Sequence, residues 1–255
     1  MLKNMSIKKI ALFSLTGVAL VVSQSSFAHT RLQTPVIGEN SAGHGSNYNN
    51  EVIGHTCTTG AGEHLNAIGT VVVFPDGADS TLTVDGEPSK LAVIDYVTNW
   101  GSPVQLIQNN DVFPMQDEIT DSLGNVVGYW AGGGQGLKHN LTGVIPFRTS
   151  GVVIEPTSCA KSVTFRIAIA DVCTLTKDTE FSTDALNLWT PAVGSKFEIE
   201  GSSGYDSPAT LKVERSSAMP EECGEGVDVV VTPSAAQLNR DMPVKIEGVQ
   251  VWPKL

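Results

Sequence analysis

Short runs rich in apolar and β-branched residues, separated by turn-forming residues, recur along most of this chain. Such runs at 48–54, 68–74, 80–84, 91–96, 126–130, 143–149, 162–169, 196–199, 210–214, 227–231 and 244–251 predict strands. The breaks between them are Pro75-Asp76-Gly77, Asp85-Gly86, Leu123-Gly124-Asn125 and the stretch 201–204, which supply turns and positive-φ positions. Helical periodicity is nearly absent. The best helical segment is 182–188, and 234–238 predicts a single turn.

The pattern also says how the strands are covered. Thr70-Val71-Val72-Val73-Phe74 is apolar on both faces, whereas Thr164-Phe165-Arg166-Ile167-Ala168-Ile169 approximates alternation. Two packed sheets with extra covering on some strands satisfy both, so the expected fold is all-β, an antiparallel β-sandwich. A boundary is expected near 174–184, with residues 174–255 adding further strands to the same domain. Gly132-Gly133-Gly134 reads as a loop after Trp130 whose backbone lies close to something.

The first residues break this pattern. Lys3, Lys8 and Lys9 precede a 13-residue apolar run, 10–22, and Ser26-Phe27-Ala28 forms a small-x-small cleavage site. This predicts a bacterial secretory signal over 1–28 and a mature chain of 227 residues beginning at His29. A spanning helix needs about 20 apolar residues, so no transmembrane anchor is expected. Removing a segment with three lysines and no acid takes the formal charge from −11 to −14. With its remaining basic residues scattered, such a chain is not expected to bind nucleic acid. Export, to the periplasm or cell surface of a Gram-negative-type bacterium, would place Cys57, Cys159, Cys173 and Cys223 in an oxidising compartment. Four cysteines allow three connectivities, and Cys57–Cys173 with Cys159–Cys223 is the preferred one.

Cleavage after Ala28 would leave His29 with a free α-amine beside its imidazole. The two nitrogens make a chelate suited to Cu(II), the strongest binder among divalent first-row ions. His55 ends a strand in Ile53-Gly54-His55-Thr56-Cys57, where a neighbouring disulfide would hold it still. His139 follows the glycine-rich segment, while His44 and His64, in polar, Gly-rich surroundings, read as surface histidines. Trp130 stands out by the glycines after it, and Trp189 and Trp252 read as core. Hydrolase, metalloprotease and nucleotide-binding motifs (G-x-S-x-G, H-E-x-x-H, P-loop, G-x-G-x-x-G before a helix) do not occur.

His29, then Gly54-His55-Thr56-Cys57, then the strand and turn from Thr70 to Gly77, then Trp130-Ala131-Gly132-Gly133, and then Cys173 together resemble the YcnI-type copper-binding domains. The resemblance covers roughly 29–173 and implies an Ig-like sandwich. It also implies copper held by the amine and ring of His29, a second ligand at His55 in place of the carboxylate of some members, and Trp130 over the metal. A looser similarity links the chain to the copper-repressible, surface-associated copper-binding proteins of methane oxidisers. In those proteins a tryptophan oxidised to kynurenine joins two histidines, a role open to Trp100 or Trp130.

The expectation is therefore a non-enzymatic exported copper carrier, scavenger or chaperone. Its metal site is expected to draw on His29, His55 and His139, with Trp130 beside the copper. An envelope copper or redox protein would be its second partner. The alternatives are a metal-free sandwich for adhesion or envelope docking, and a copper-dependent oxidative enzyme. For the enzyme, 16 aromatic residues without a cluster near the histidines offer little flat binding face.

Overall fold

The computed structural model describes residues 29–40, 45–175, 178, 181–198, 207–246 and 249–254. The expected signal at 1–28, His44 and the turn at 201–204 lie outside these residues. Strands in the first half of the chain are β1 (Arg31–Leu32), β2 (Val36–Gly38), β3 (Ser46–Ile53), β4 (Ala67–Val73), β5 (Thr81–Val84), β6 (Glu87–Ser89), β7 (Gln105–Leu106) and β8 (Met115–Thr120). There follow β9 (Val126–Leu137), β10 (Gly143–Ser150), β11 (Ala160–Val172), β12 (Leu186–Trp189), β13 (Ala209–Glu214), β14 (Val227–Thr232), β15 (Val244–Ile246) and β16 (Val249–Trp252). Among the described residues the α-helix α1 (Ala235–Asp241) is capped by the Ser234 side chain accepting from the Gln237 amide.

The fold is an all-β sandwich. One sheet runs β1-β3-β10-β7; the larger runs β6-β5-β14-β11-β4-β9-β8, with β12 and β13 also on β11 and β2 on β13. The 13-residue β11 organises the large sheet. Its first half pairs with β13 and β14, and its second half with β12 and β4. Pairing is mostly antiparallel, but β11–β14 and β13–β2 are parallel.

Alternation within the strands sends side chains to two separate cores. Val72, Phe74, Tyr129, Phe147, Phe165 and Trp189 fill the space between the sheets. Val71, Val73, Ala168 and Ala170 face the other way and are covered by Leu186, Leu188, Phe197, Leu238, Met242 and Val251. The segment apolar on both faces is thus buried on both faces, the second time by the C-terminal part of the chain. Both disulfides form as preferred, Cys57–Cys173 and Cys159–Cys223.

Several local expectations are corrected. Residues 182–188 make no helix, because all four residues of β12 are buried and the strand lies between β11 and the C-terminal core. The run 91–96 folds into a 3₁₀ turn at Val93–Asp95 rather than a strand. Residues 196–197 form a turn where a strand over 196–199 was expected, and 199 lies outside the described residues. The glycines after Trp130 lie inside β9, where a side chain on Gly133 would meet the Met115 methyl at 2.5 Å. The Asp85-Gly86 turn holds, with both residues at positive φ (48° and 88°), the geometry that a two-residue hairpin between β5 and β6 needs.

Candidate metal-binding site

The site lies where β1, the end of β3 and the ends of β11 and β12 meet. β1 pairs antiparallel with β3, with Arg31 opposite Val52. Continued two residues back, that register sets His29 beside Gly54 and so next to His55. The Cys57–Cys173 bond ties the segment after His55 to the end of β11. There Asp171 stands between Thr70 of β4 and Asn187 of β12.

One indole collects both histidines. The His29 ring stacks on Trp189 with centroids 4.4 Å apart and planes at 29°. The His55 ring meets the same indole edge-on at 6.1 Å. Trp189 is fully buried, and its Nε1–H donates to Asp171 Oδ2 at 2.8 Å. Thr30, the residue after His29, donates its hydroxyl to that same oxygen. Asp171 therefore fixes both the platform and the start of β1. His55 Nδ1 lies 2.8 Å from the Thr56 carbonyl, which can only accept, so Nδ1 carries the proton and Nε2 keeps its lone pair. His29 also opens onto a cleft of about 430 Å³ lined by Arg31, Gln33, Pro35 and Pro208.

Beneath the histidines lies a buried pair of acids. Glu51 and Asp171 have no solvent exposure. Glu51 accepts from the Thr70 hydroxyl at 2.6 Å and from the Tyr129 hydroxyl at 3.2 Å. Burial, then the charge of Asp171, pushes the Glu51 carboxyl up to about 8. Burial likewise raises Asp171, to about 6, against the lowering effect of its hydrogen bonds from Thr30 and Trp189 and of nearby His55. Asp171 Oδ1 is buried with no hydrogen-bond partner. Burial and the neighbouring Glu51 also hold the Tyr129 hydroxyl well above its ordinary range.

The structure sorts the expected site residues into three places. His29 and His55 come together. His139 instead stacks with His64, at 5.7 Å between centroids, on exposed loops. Trp130 is elsewhere again. It sits opposite Val71, which neighbours Ala170 and then Leu188, all part of the second core, whereas Trp189 faces the first. Three strand spacings, about 14 Å, and the thickness of a sheet separate the two indoles. Trp130 therefore does not lie over His29 and His55. It lines a cleft with Met115, Asp117 and Glu118. Trp100 is a core residue, stacked at 3.6 Å on Phe165 and donating to the Pro75 carbonyl.

Trp189, read from sequence as core, is both core and platform. Asp171 and Glu51 were missed altogether. The available signal was an acid inside the apolar run from Ile167 to Val172, two residues before a cysteine that forms a disulfide. Among the described residues no three His, Cys, Asp or Glu side chains cluster as a ready-made metal cage. The chain matches no protein-family model and no curated protein.

Proposed function

We propose that this chain is an exported copper-binding protein whose mature N-terminus holds one copper ion together with His55, as the resemblance to YcnI-type domains implies. The observation that carries this reading is the convergence of His29 and His55 on the single indole of Trp189. Side chains alone offer two nitrogen donors here. The third would be the backbone amine that cleavage before His29 frees, and three nitrogens suit Cu(II).

The surroundings fit the same cargo. The Thr56 carbonyl leaves Nε2 of His55 as the coordinating atom, and rings that are already oriented bind metal at a lower entropic cost. The Asp171 carboxyl, buried close enough to His55 to feel its charge, supplies negative charge to a cationic site. Two disulfides, and the lack among the described residues of any helix long and apolar enough to cross a membrane, accord with a protein that works outside the cytoplasm. Copper is carried here, not used for turnover, and an envelope copper or redox protein would exchange it.

Calorimetric titration with Cu(II) tests this. A chain beginning at His29 is expected to bind one equivalent tightly, and one extra residue before His29, or His55→Ala, should abolish tight binding. Trp189→Phe keeps an aromatic ring but loses the bond to Asp171, and should weaken binding by about 10–100-fold, as lost supporting contacts do elsewhere. Equal affinity in the extended and native chains would refute the role of the terminal amine, and no binding by either would leave the metal-free sandwich in its place.

A further inference from the structure

His64 and His139 are far apart in sequence, yet the fold sets their rings 5.7 Å apart and within 12° of parallel. This arrangement is built by specific bonds. A tight hairpin carries His64: Thr58 bridges His64, the Thr59 amide bonds the Glu63 carbonyl, the Leu65 amide bonds the Cys57 carbonyl, and the Thr56 hydroxyl bonds the Leu65 carbonyl. Cys57, at the hairpin base, is locked by its disulfide. The loop bearing His139 is docked on the next residue, where its amide donates to the Asn66 side chain. Thr58 Oγ1 lies 3.0 Å from His64 Nδ1 and can accept its proton, which leaves Nε2 of His64 for a ligand.

We propose that His64 and His139 form a second metal site, separate from His29 and His55, in which two imidazoles share one borderline transition-metal ion such as Zn(II) or Cu(II). Metal–imidazole bonds are about 2.0–2.1 Å, so two nitrogens on one ion stand roughly 3–4 Å apart. Ring centres at 5.7 Å, with nitrogens about 1 Å off centre, reach that spacing once the side chains turn the rings out of their near-parallel stack so that the two lone pairs converge. Both rings are exposed, so no core packing opposes the rotation and the ion can exchange with solvent. Water would complete the coordination, which makes this site weaker and more labile than a closed one. It goes beyond the His29 site and stands whether or not that site binds copper.

The test is a zinc chloride titration of the full processed chain, followed by imidazole ¹H–¹⁵N correlation spectra. The His64 and His139 ring signals are expected to shift together and to saturate at a common single equivalent, in the native chain and in His55→Ala alike. His64→Ala, His139→Ala and His64→Gln should each weaken zinc binding at this position by about tenfold or more, so that its equivalent drops out of the stoichiometry at concentrations that saturate the native site. Both positions are exposed, so the fold should survive, which unchanged far-ultraviolet dichroism would verify. Rings that do not shift, or that titrate separately, would overturn the proposal, as would an unchanged stoichiometry in the single variants. Loss of zinc binding only in His55→Ala would overturn it too, while leaving the His29 site intact.

Discussion

At the scale of single residues, the cost of the site is concentrated in Glu51 and Asp171. Two carboxyls share a buried volume, and three hydroxyls and one indole N–H are left to stabilise their charge. In the unfolded chain both lose their protons near pH 4, whereas in the fold they hold them up to about 6 and about 8. Between these limits the native state binds more protons than the unfolded one, so stability falls as pH rises. Their contribution is fully present below about pH 4 and is lost through pH 6–8. Glu51→Gln, whose amide can still bond Thr70 and Tyr129, should remove most of that loss. In chelator, its melting temperature is expected to exceed that of the parent by several degrees at pH 8.5 and to converge with it near pH 4.5. Parallel melting curves across that range would show that the acids are not strained by ionisation.

Why these residues were illegible in the sequence is a matter of distance. His55 was legible because its constraint, the adjacent Cys57, is local. Asp171 acquires its meaning from Thr30, 141 positions away, and from Trp189. Trp189 in turn reads as core, because it is core and the histidines come to it. Trp130 was favoured for its glycines, but those glycines serve close packing of β9 against β4 and Met115. A Cβ on Gly132 would sit 3.1 Å from the Ile68 carbonyl oxygen, and one on Gly136 2.3 Å from that of Ala67.

At the scale of elements, most strands rich in apolar and β-branched residues were legible, whereas a polar edge strand and a short, fully buried one were not. β3, β4, β10, β11, β13 and β14 follow their apolar periodicity to within a few residues. β8 escaped notice because it is a polar edge strand, and β12 because burial on both faces erases the period of two. The disulfides divide the labour among elements. Each closes a long loop, with separations of 116 and 64 residues, so each should contribute about 4–5 kcal/mol in the chain-entropy account. Cys57 and Cys173, however, also anchor the segment bearing His55. Replacing both with Ala should lower stability and weaken copper binding together. Replacing Cys159 and Cys223 with Ala should cost similar stability but leave copper affinity unchanged below the melting transition, as denaturation and titration of the two double variants would reveal. Equal copper affinity in both would detach the disulfide from the site.

At the scale of the whole molecule, the C-terminal part of the chain is integral to the sandwich. It places β13 and β14 within the large sheet, and α1 with β12, β15 and β16 covers the second core. The sequence pattern predicted added strands but could not say that two of their pairings are parallel, since a parallel ladder depends on partners remote in the chain. The same assembly brings the start of β1 to Asp171, and with it the two histidines that the functional reading depends on.

That reading makes a direct claim about how many nitrogens hold the metal. Electron paramagnetic resonance of the one-equivalent Cu(II) form, prepared from a chain that begins at His29, measures this count through nitrogen superhyperfine splitting. The account predicts three equatorial nitrogens, falling to two in His55→Ala. A spectrum of native protein with one nitrogen or none, or one unaltered by His55→Ala, would contradict it.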